Sequence, residues 1–215
     1  MSSNDTDKYD LSFKMIVIGD AGVGKSCLTS RACKDTFSID YSATVGFEFF
    51  TYTTKIDNKI IKLQIWDTCG QEIYRSLITN FYRNASLAMM VYSIDYRESF
   101  ININRWLKEV KIQSNPDVKV VLIGNKADLN DDRQVTYQEA KRYKDENQIL
   151  YFEEASAKTG INAKEIFNEA ARLLYSEHNK YKLRANNSNL NERNGGNNTP
   201  TKLTKVEQNR NKGFL

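Results

Sequence analysis

Residues 13–28, Phe-Lys-Met-Ile-Val-Ile-Gly-Asp-Ala-Gly-Val-Gly-Lys-Ser-Cys-Leu, constrain this chain more than any other stretch. An apolar run at 15–18 passes into a glycine loop at 19–24, then Lys25, Ser26 and a helical pattern. Strand, loop and helix in that order form the context that a phosphate cradle requires. Gly19, Gly22 and Gly24 permit close backbone approach, so main-chain N–H groups from Ala21 through Gly22, Val23, Gly24, Lys25, Ser26 and Cys27 can face an anion at a helix's positive end. Lys25 would reach the outer phosphates as a point charge. The Ser26 hydroxyl would ligate magnesium, a hard cation that takes oxygen ligands. These residues specify a nucleoside triphosphate and leave the base open.

The remainder reads as alternating strand and helix. A strand is expected over 11–18 and a helix over 25–34; residues 37–46 break both periodicities and read as a loop. Strand-like runs at 47–56 and 60–66 flank Asp57-Asn58, a two-residue hairpin turn. Continuous apolar runs at 88–94 and 118–123 suit strands covered on both faces. Between them Phe100, Ile103, Trp106, Leu107 and Val110 recur at helical spacing and are assigned to the core. Thr136 with Glu139 predicts a capping box, residues 150–155 a further strand, and Asn162 the cap of a last helix. The pattern predicts an α/β domain with a mainly parallel sheet and active loops at the strands' carboxyl ends.

Charge separates that domain from the C-terminal tail. Residues 180–215 carry eight Lys or Arg against two Glu, so the +4 of the whole chain comes from a +6 tail and a −2 body. From Asn186 the chain is Asn-rich, with too few large apolar residues for a core, and disorder is expected over 180–215. Residues 1–10 are expected to be a flexible extension, with the folded domain at 11–179. No apolar run approaches the roughly 18 residues of a membrane span, and residues 1–10 lack an export signal, so a cytoplasmic protein is expected. Three cysteines, one histidine and no C-x-x-C argue against disulfides and zinc.

The base is named at Asn125-Lys126-Ala127-Asp128, directly after the apolar run ending at Ile123. Asp128 can accept two parallel hydrogen bonds from guanine N1–H and its 2-amino group. Adenine would set acceptor against acceptor, an unpaired buried contact that such sites reject strongly. Asp67-Thr68-Cys69-Gly70-Gln71 follows the third strand: Asp67 can hold a magnesium shell, Gly70 N–H can approach a γ-phosphate, and Gln71 can orient a water. Ser156, Ala157 and Lys158 can close over the base edge.

Together these motifs resemble the small GTPases of the Ras superfamily, and within it the Rab family, over residues 11–179. The resemblance implies a P-loop fold with a six-stranded sheet, one strand antiparallel, and helices on both faces. It also implies Phe37 against the guanine, Thr44 as a magnesium ligand that senses the γ-phosphate, and loops 36–46 and 67–80 as two switches. The implied catalytic set is Gln71, Lys25, Thr44 and Gly70; the implied metal set is Ser26, Thr44 and Asp67, with GTP/GDP and Mg2+ bound. Rab character rests on Val45-Gly46-Phe47-Glu48-Phe49, on 62–67 and on Phe81-Tyr82-Arg83-Asn84-Ala85. In Rabs, aromatics matching Phe49, Trp66 and Phe81 read effectors, and exchange factors and GTPase-activating proteins work through the switches.

The expected function is a monomeric GTP-hydrolysing switch in vesicle trafficking, slow without an activator and with no nucleic acid partner. A guanine-nucleotide-binding scaffold with little hydrolysis is the alternative. Ala21 stands where the resembled family has Gly or Ser, and its methyl group crowds the γ-phosphate, which predicts slow intrinsic hydrolysis. No cysteine follows Cys69, and Ser2 is not a myristoylation glycine, so membrane contact is expected to be weak or partner-mediated.

Overall fold

The computed structural model describes residues 8–38, 46–68 and 81–194, with side chains as far as residue 184. Thr44, Cys69, Gly70, Gln71 and most of both expected switch loops lie outside the described residues. The order of elements is β1 (Leu11–Ile18), α1 (Lys25–Lys34), β2 (Phe47–Ile56), β3 (Lys59–Thr68), β4 (Leu87–Ser93), α2 (Arg97–Ile101), α3 (Ile103–Gln113), β5 (Lys119–Asn125), a 3-10 turn (Asn130–Asp132), α4 (Tyr137–Glu146), β6 (Tyr151–Glu154) and α5 (Glu165–Asn194).

The six strands form one sheet in the order β2-β3-β1-β4-β5-β6. Only β2 and β3 are antiparallel; the other pairs are parallel. Asp57 and Asn58 both have positive φ, 45° and 63°, and Ile56 faces Lys59 across them. That left-handed pair is what a type I′ turn demands, and it matches the hairpin expected there.

Strand periodicity divides the core into two layers. Met15 and Val17 of β1 face one layer with Leu28 and Ala32 of α1 and Ile166, Phe167, Ala170 and Leu174 of α5. Ile16 and Ile18 face the other, with Ile103, Trp106, Leu107 and Val110 of α3 and Ala140 of α4. Helices therefore cover both faces, as the family resemblance implied. With all strands but β2 parallel, the loops after β1, β3, β5 and β6 emerge at one edge of the sheet.

Local details refine the sequence expectations in three places. The apolar stripe from Phe100 to Val110 belongs to two helices, since α2 ends at Ile101 and α3 starts at Ile103. Thr136 does accept a hydrogen bond from Glu139 N–H at 3.2 Å. The Glu139 carboxylate also makes a two-pronged pair with Arg97, 2.6 Å on each side, while Thr136 N–H still acts on it, so the capping box is tied to α2 as well. Asn162 does not cap α5 with its side chain. Its φ is 55°, and its Nδ2 donates to the Glu154 carbonyl at 2.8 Å, fastening the end of β6.

The chain divides into two units, Met1–Glu177 and His178–Leu215. Helix α5 continues past the composition boundary at residue 180 to Asn194. Tyr181, Lys182, Leu183, Arg184 and Ala185 propagate a helix well enough to extend it once it is nucleated, and propagation adds one bond per residue fixed. Among the described residues, no helix is long and apolar enough to cross a membrane.

Candidate active site

The loop after β1 supplies the floor of the site. Gly19 (φ 143°) lies so close to β4 that a Cβ there would sit 2.1 Å from the Val91 carbonyl oxygen. Gly24 (φ 88°) starts α1 in the left-handed region, and a Cβ would sit 2.4 Å from Asn125 Nδ2. Both positions require glycine. The first α-helical bond is Leu28 N–H to Gly24 O, 2.9 Å, and the N–H groups ahead of it point out of the helix end by geometry. Lys25, only 5 % exposed, folds back over the loop and donates from Nζ to the carbonyls of Gly19 (2.9 Å) and Asp20 (2.8 Å). Ala21 and Gly22 are exposed at the loop tip, Val23 is buried in the α1/α5 core layer, and Cys27 is half-buried.

Asp67, near the end of β3, is fully buried, and among the described residues neither carboxylate oxygen has a hydrogen-bond partner of normal geometry. Burial pushes its pKa up to about 7, against the opposing pull of the nearby Ser26 hydroxyl and the Lys25 ammonium. A dry, unsatisfied carboxylate beside a serine hydroxyl and a lysine is costly unless a cation completes it. This donor set of hard oxygens fits magnesium.

The third and fourth segments are bound to the first. Asn125, 1 % exposed, donates from Nδ2 to Val23 O at 2.8 Å and Gly24 O at 3.3 Å, and accepts from Ala157 N–H at 3.3 Å. One side chain thus links the glycine loop to the 156–158 loop. Asp128 is held by the Ser156 hydroxyl at 2.5 Å and faces the Lys158 ammonium at 3.9 Å. Ser156 in turn accepts from Thr159 N–H at 3.1 Å. Lys126 has φ 63° and places its ammonium 3.6 Å from Asp95.

Ser26, Lys25, Asp67, Asn125, Asp128 and Ser156 come from segments up to 131 positions apart in the chain. A glycine-loop lysine, a buried acid at the end of β3 and an Asn-Lys-x-Asp loop on β5 share one sheet edge, and the Ras family's sequence profile matches residues 14–176. The chain belongs to the Ras family. Its Rab character is equally plain. It is 44 % identical over 169 residues to the Ras-related protein RABA1b of Arabidopsis thaliana, covering 79 % of this chain and 78 % of that protein. It is 45 % identical to the Ras-related protein YPT3 of Nicotiana plumbaginifolia (79 % and 77 % covered) and 41 % identical to human Ras-related protein Rab-4B (80 % and 80 %). It is a Rab-like small GTPase, a GTP-hydrolysing, guanine-nucleotide-binding switch of vesicle trafficking.

Two features of this Rab site have no counterpart among the sequence expectations. Arg31, on α1, donates from Nε to Ala157 O at 2.8 Å and from Nη2 to Lys158 O at 2.9 Å, and its guanidinium lies 5.9 Å from the centre of the half-buried Phe37 ring. It pins the 156–158 loop against Phe37, and nothing local in the sequence signals a contact across 126 residues. Phe47 is the second. The expected trio of Phe49, Trp66 and Phe81 is joined by Phe47, whose ring lies 4.5 Å from Phe81 and 5.4 Å from Trp66. Trp66 also contacts Phe49 at 5.0 Å and Phe81 at 5.1 Å. The signal was available here, because Phe47 and Phe49 are two apart on one strand and share a face. Both are about half exposed.

Proposed function

We propose that the Rab switch of this chain divides its work among named residues. Lys25 neutralises charge on the outer phosphates, with its Nζ steadied by the Gly19 and Asp20 carbonyls. Asp128 reads the guanine N1–H and 2-amino group, while Ala157 N–H closes on the base edge and Phe37 on its face. Ser26, Asp67 and Thr44 would hold magnesium, which supplies charge neutralisation at the phosphate oxygens. Gln71 orients the water that attacks the γ-phosphate, breaking the bond to the bridging oxygen of GDP. Gly70 N–H and Thr44 bind in the GTP state and let go after phosphate leaves. Positioning and charge stabilisation are the protein's whole contribution, because phosphoryl transfer asks for little else.

The observation that carries this reading is the Asn125 side chain, which ties the phosphate loop and the base loop into one unit. A site bound together in that way suits a ligand with a phosphate end and a base end. The exposed rings of Phe47 and Phe49, with Trp66 and Phe81, are the surface offered to effectors at the cytosolic face of endomembranes; exchange factors and GTPase-activating proteins work on the flanking switch loops.

Phosphate release from GTP, measured in single turnover with and without a Rab-activating domain, tests the assignment. Gln71→Leu is expected to abolish the activated rate, and Asp128→Asn to exchange guanine for xanthine preference. Full activity in Gln71→Leu, or no guanine nucleotide bound to the magnesium-supplied wild type, would defeat it.

A further inference from the structure

The second residue of the phosphate loop is an acid, Asp20, which is electrostatically the wrong sign beside a polyphosphate. The structure turns that carboxylate away from the loop and surrounds it with donors. Asp20 Oδ2 accepts from Asn102 Nδ2 at 2.8 Å. Its Oδ1 accepts from Trp106 Nε1 at 2.8 Å and from Arg105 Nη2 at 3.4 Å, and the Arg105 guanidinium lies 5.2 Å from the centre of the Trp106 ring. The Asp20 side chain is 13 % exposed and Trp106 only 3 %, so these bonds are largely shielded from water. Asn102, Arg105 and Trp106 stand at i, i+3 and i+4, one face of the α2–α3 junction. The main-chain oxygen of the same Asp20 accepts Lys25 Nζ at 2.8 Å.

Asp20 is therefore fixed through its side chain to α3 and through its carbonyl to the phosphate lysine. We propose that Asp20 is a positioning residue for Lys25: Asn102, Arg105 and Trp106 clamp its carboxylate, hold the 19–21 backbone in place, and so keep the ammonium where the outer phosphates bind. The inference rests on the nucleotide-site reading above. It assigns a function to a polar face of α3 that otherwise looks like core edge.

Charge and position make opposite predictions, which allows a clean test. If Asp20 were only a negative charge near phosphate, removing it would slow nucleotide release. If it positions Lys25, removing it speeds release. Release of fluorescent GDP and equilibrium binding of GMP are measured for the wild type, Asp20→Ala, Trp106→Phe and the double variant. Asp20→Ala is expected to release GDP about ten-fold faster, and Trp106→Phe, which keeps an aromatic ring of smaller size but drops the donor, about three-fold faster. The double variant should match Asp20→Ala within about two-fold, since both act on one clamp. GMP lacks the outer phosphate that Lys25 serves, so its affinity should stay within about two-fold of wild type.

Slower or unchanged GDP release in Asp20→Ala overturns the proposal, and so does equal weakening of GDP and GMP, the pattern of a general structural defect. If Asp20→Ala does not fold, the GDP and GMP comparison on Trp106→Phe decides alone. Failure of the wild type to bind GDP would instead remove the underlying nucleotide-site reading.

Discussion

Arg31→Met should loosen the grip of this GTPase on its nucleotide without touching any atom expected to contact the nucleotide. The side chain makes two charge-assisted bonds, 2.8 Å and 2.9 Å, to the carbonyls of Ala157 and Lys158. Bonds from a charged donor contribute about 1.5–3 kcal/mol each. Arg31 is 20 % exposed, so water can partly replace it and the low end of that range applies. The guanidinium near Phe37 adds about 0.5 kcal/mol, and its 3.5 Å pair with the exposed Asp35 next to nothing. About 3.5 kcal/mol is then shared between folding stability and the order of the 156–158 loop and Phe37. An even split leaves about 1.75 kcal/mol for nucleotide retention, roughly a twenty-fold faster GDP release. Ser156 of the same loop holds Asp128, so guanine-over-inosine discrimination should also fall. Stopped-flow release of fluorescent GDP and of the inosine analogue, with thermal unfolding in saturating GDP, measures all three. Release within two-fold of wild type, with unchanged discrimination, would show that Arg31 only decorates the outside of α1. Lys164→Ala, which removes an exposed 3.2 Å pair with Asp35, is the control expected to change nothing.

Three further outcomes are expected from the geometry. Gly24→Ala should lose nucleotide binding and several degrees of thermal stability, because its φ is 88° and the new Cβ would push Asn125 off Val23 O and Ala157 N–H; binding of GDP by calorimetry reads it. Asn125→Ala should cost about 2 kcal/mol in denaturant unfolding, since it strands the buried Val23 carbonyl and Ala157 N–H at about 1 kcal/mol each, while Gly24 O keeps its helical bond from Leu28. Burial pushes the Cys33 thiol up to about 11, above its ordinary 9.0, so folding favours its protonated form. That contribution is complete below pH 9 and fades as pH rises toward 11; Cys33→Ala should therefore flatten the loss of stability across that window, and native Cys33 should alkylate far more slowly than a free thiol at pH 8.

The strand and helix pattern was legible because it is periodic. Met15 and Val17 alternate with Ile16 and Ile18, and that alternation alone assigns them to opposite layers. Asp57-Asn58 announced its turn for a similar reason: few residue types accept two consecutive left-handed conformations. The apolar stripe from Phe100 to Val110 is buried core as its spacing implied, although spacing does not register the break at Asn102 between two helices. Capping was legible only in part. Thr136 caps α4 as its spacing with Glu139 implied, but the same carboxylate also pairs with Arg97, and the Asn162 side-chain amide donates to the Glu154 carbonyl. A side chain's choice among partners depends on what the fold brings near, and a local pattern carries no such information.

The same division runs through the site. By itself the sequence determined the chemistry on offer: a lysine and a serine behind a glycine loop, an acid after β3, an Asn-Lys-x-Asp loop, and motifs whose order placed the chain among Rab-like GTPases. Those are short-range patterns, set by backbone conformation and residue type within a few positions. Only the tertiary structure decided that Asn125 joins two loops, that Asp67 is dry, that Arg31 reaches across 126 residues, and that Asp20 is clamped by α3. These are contacts between segments far apart in the chain, and their strength comes from exclusion of water, which exists only after the sheet and both helical layers have closed around them.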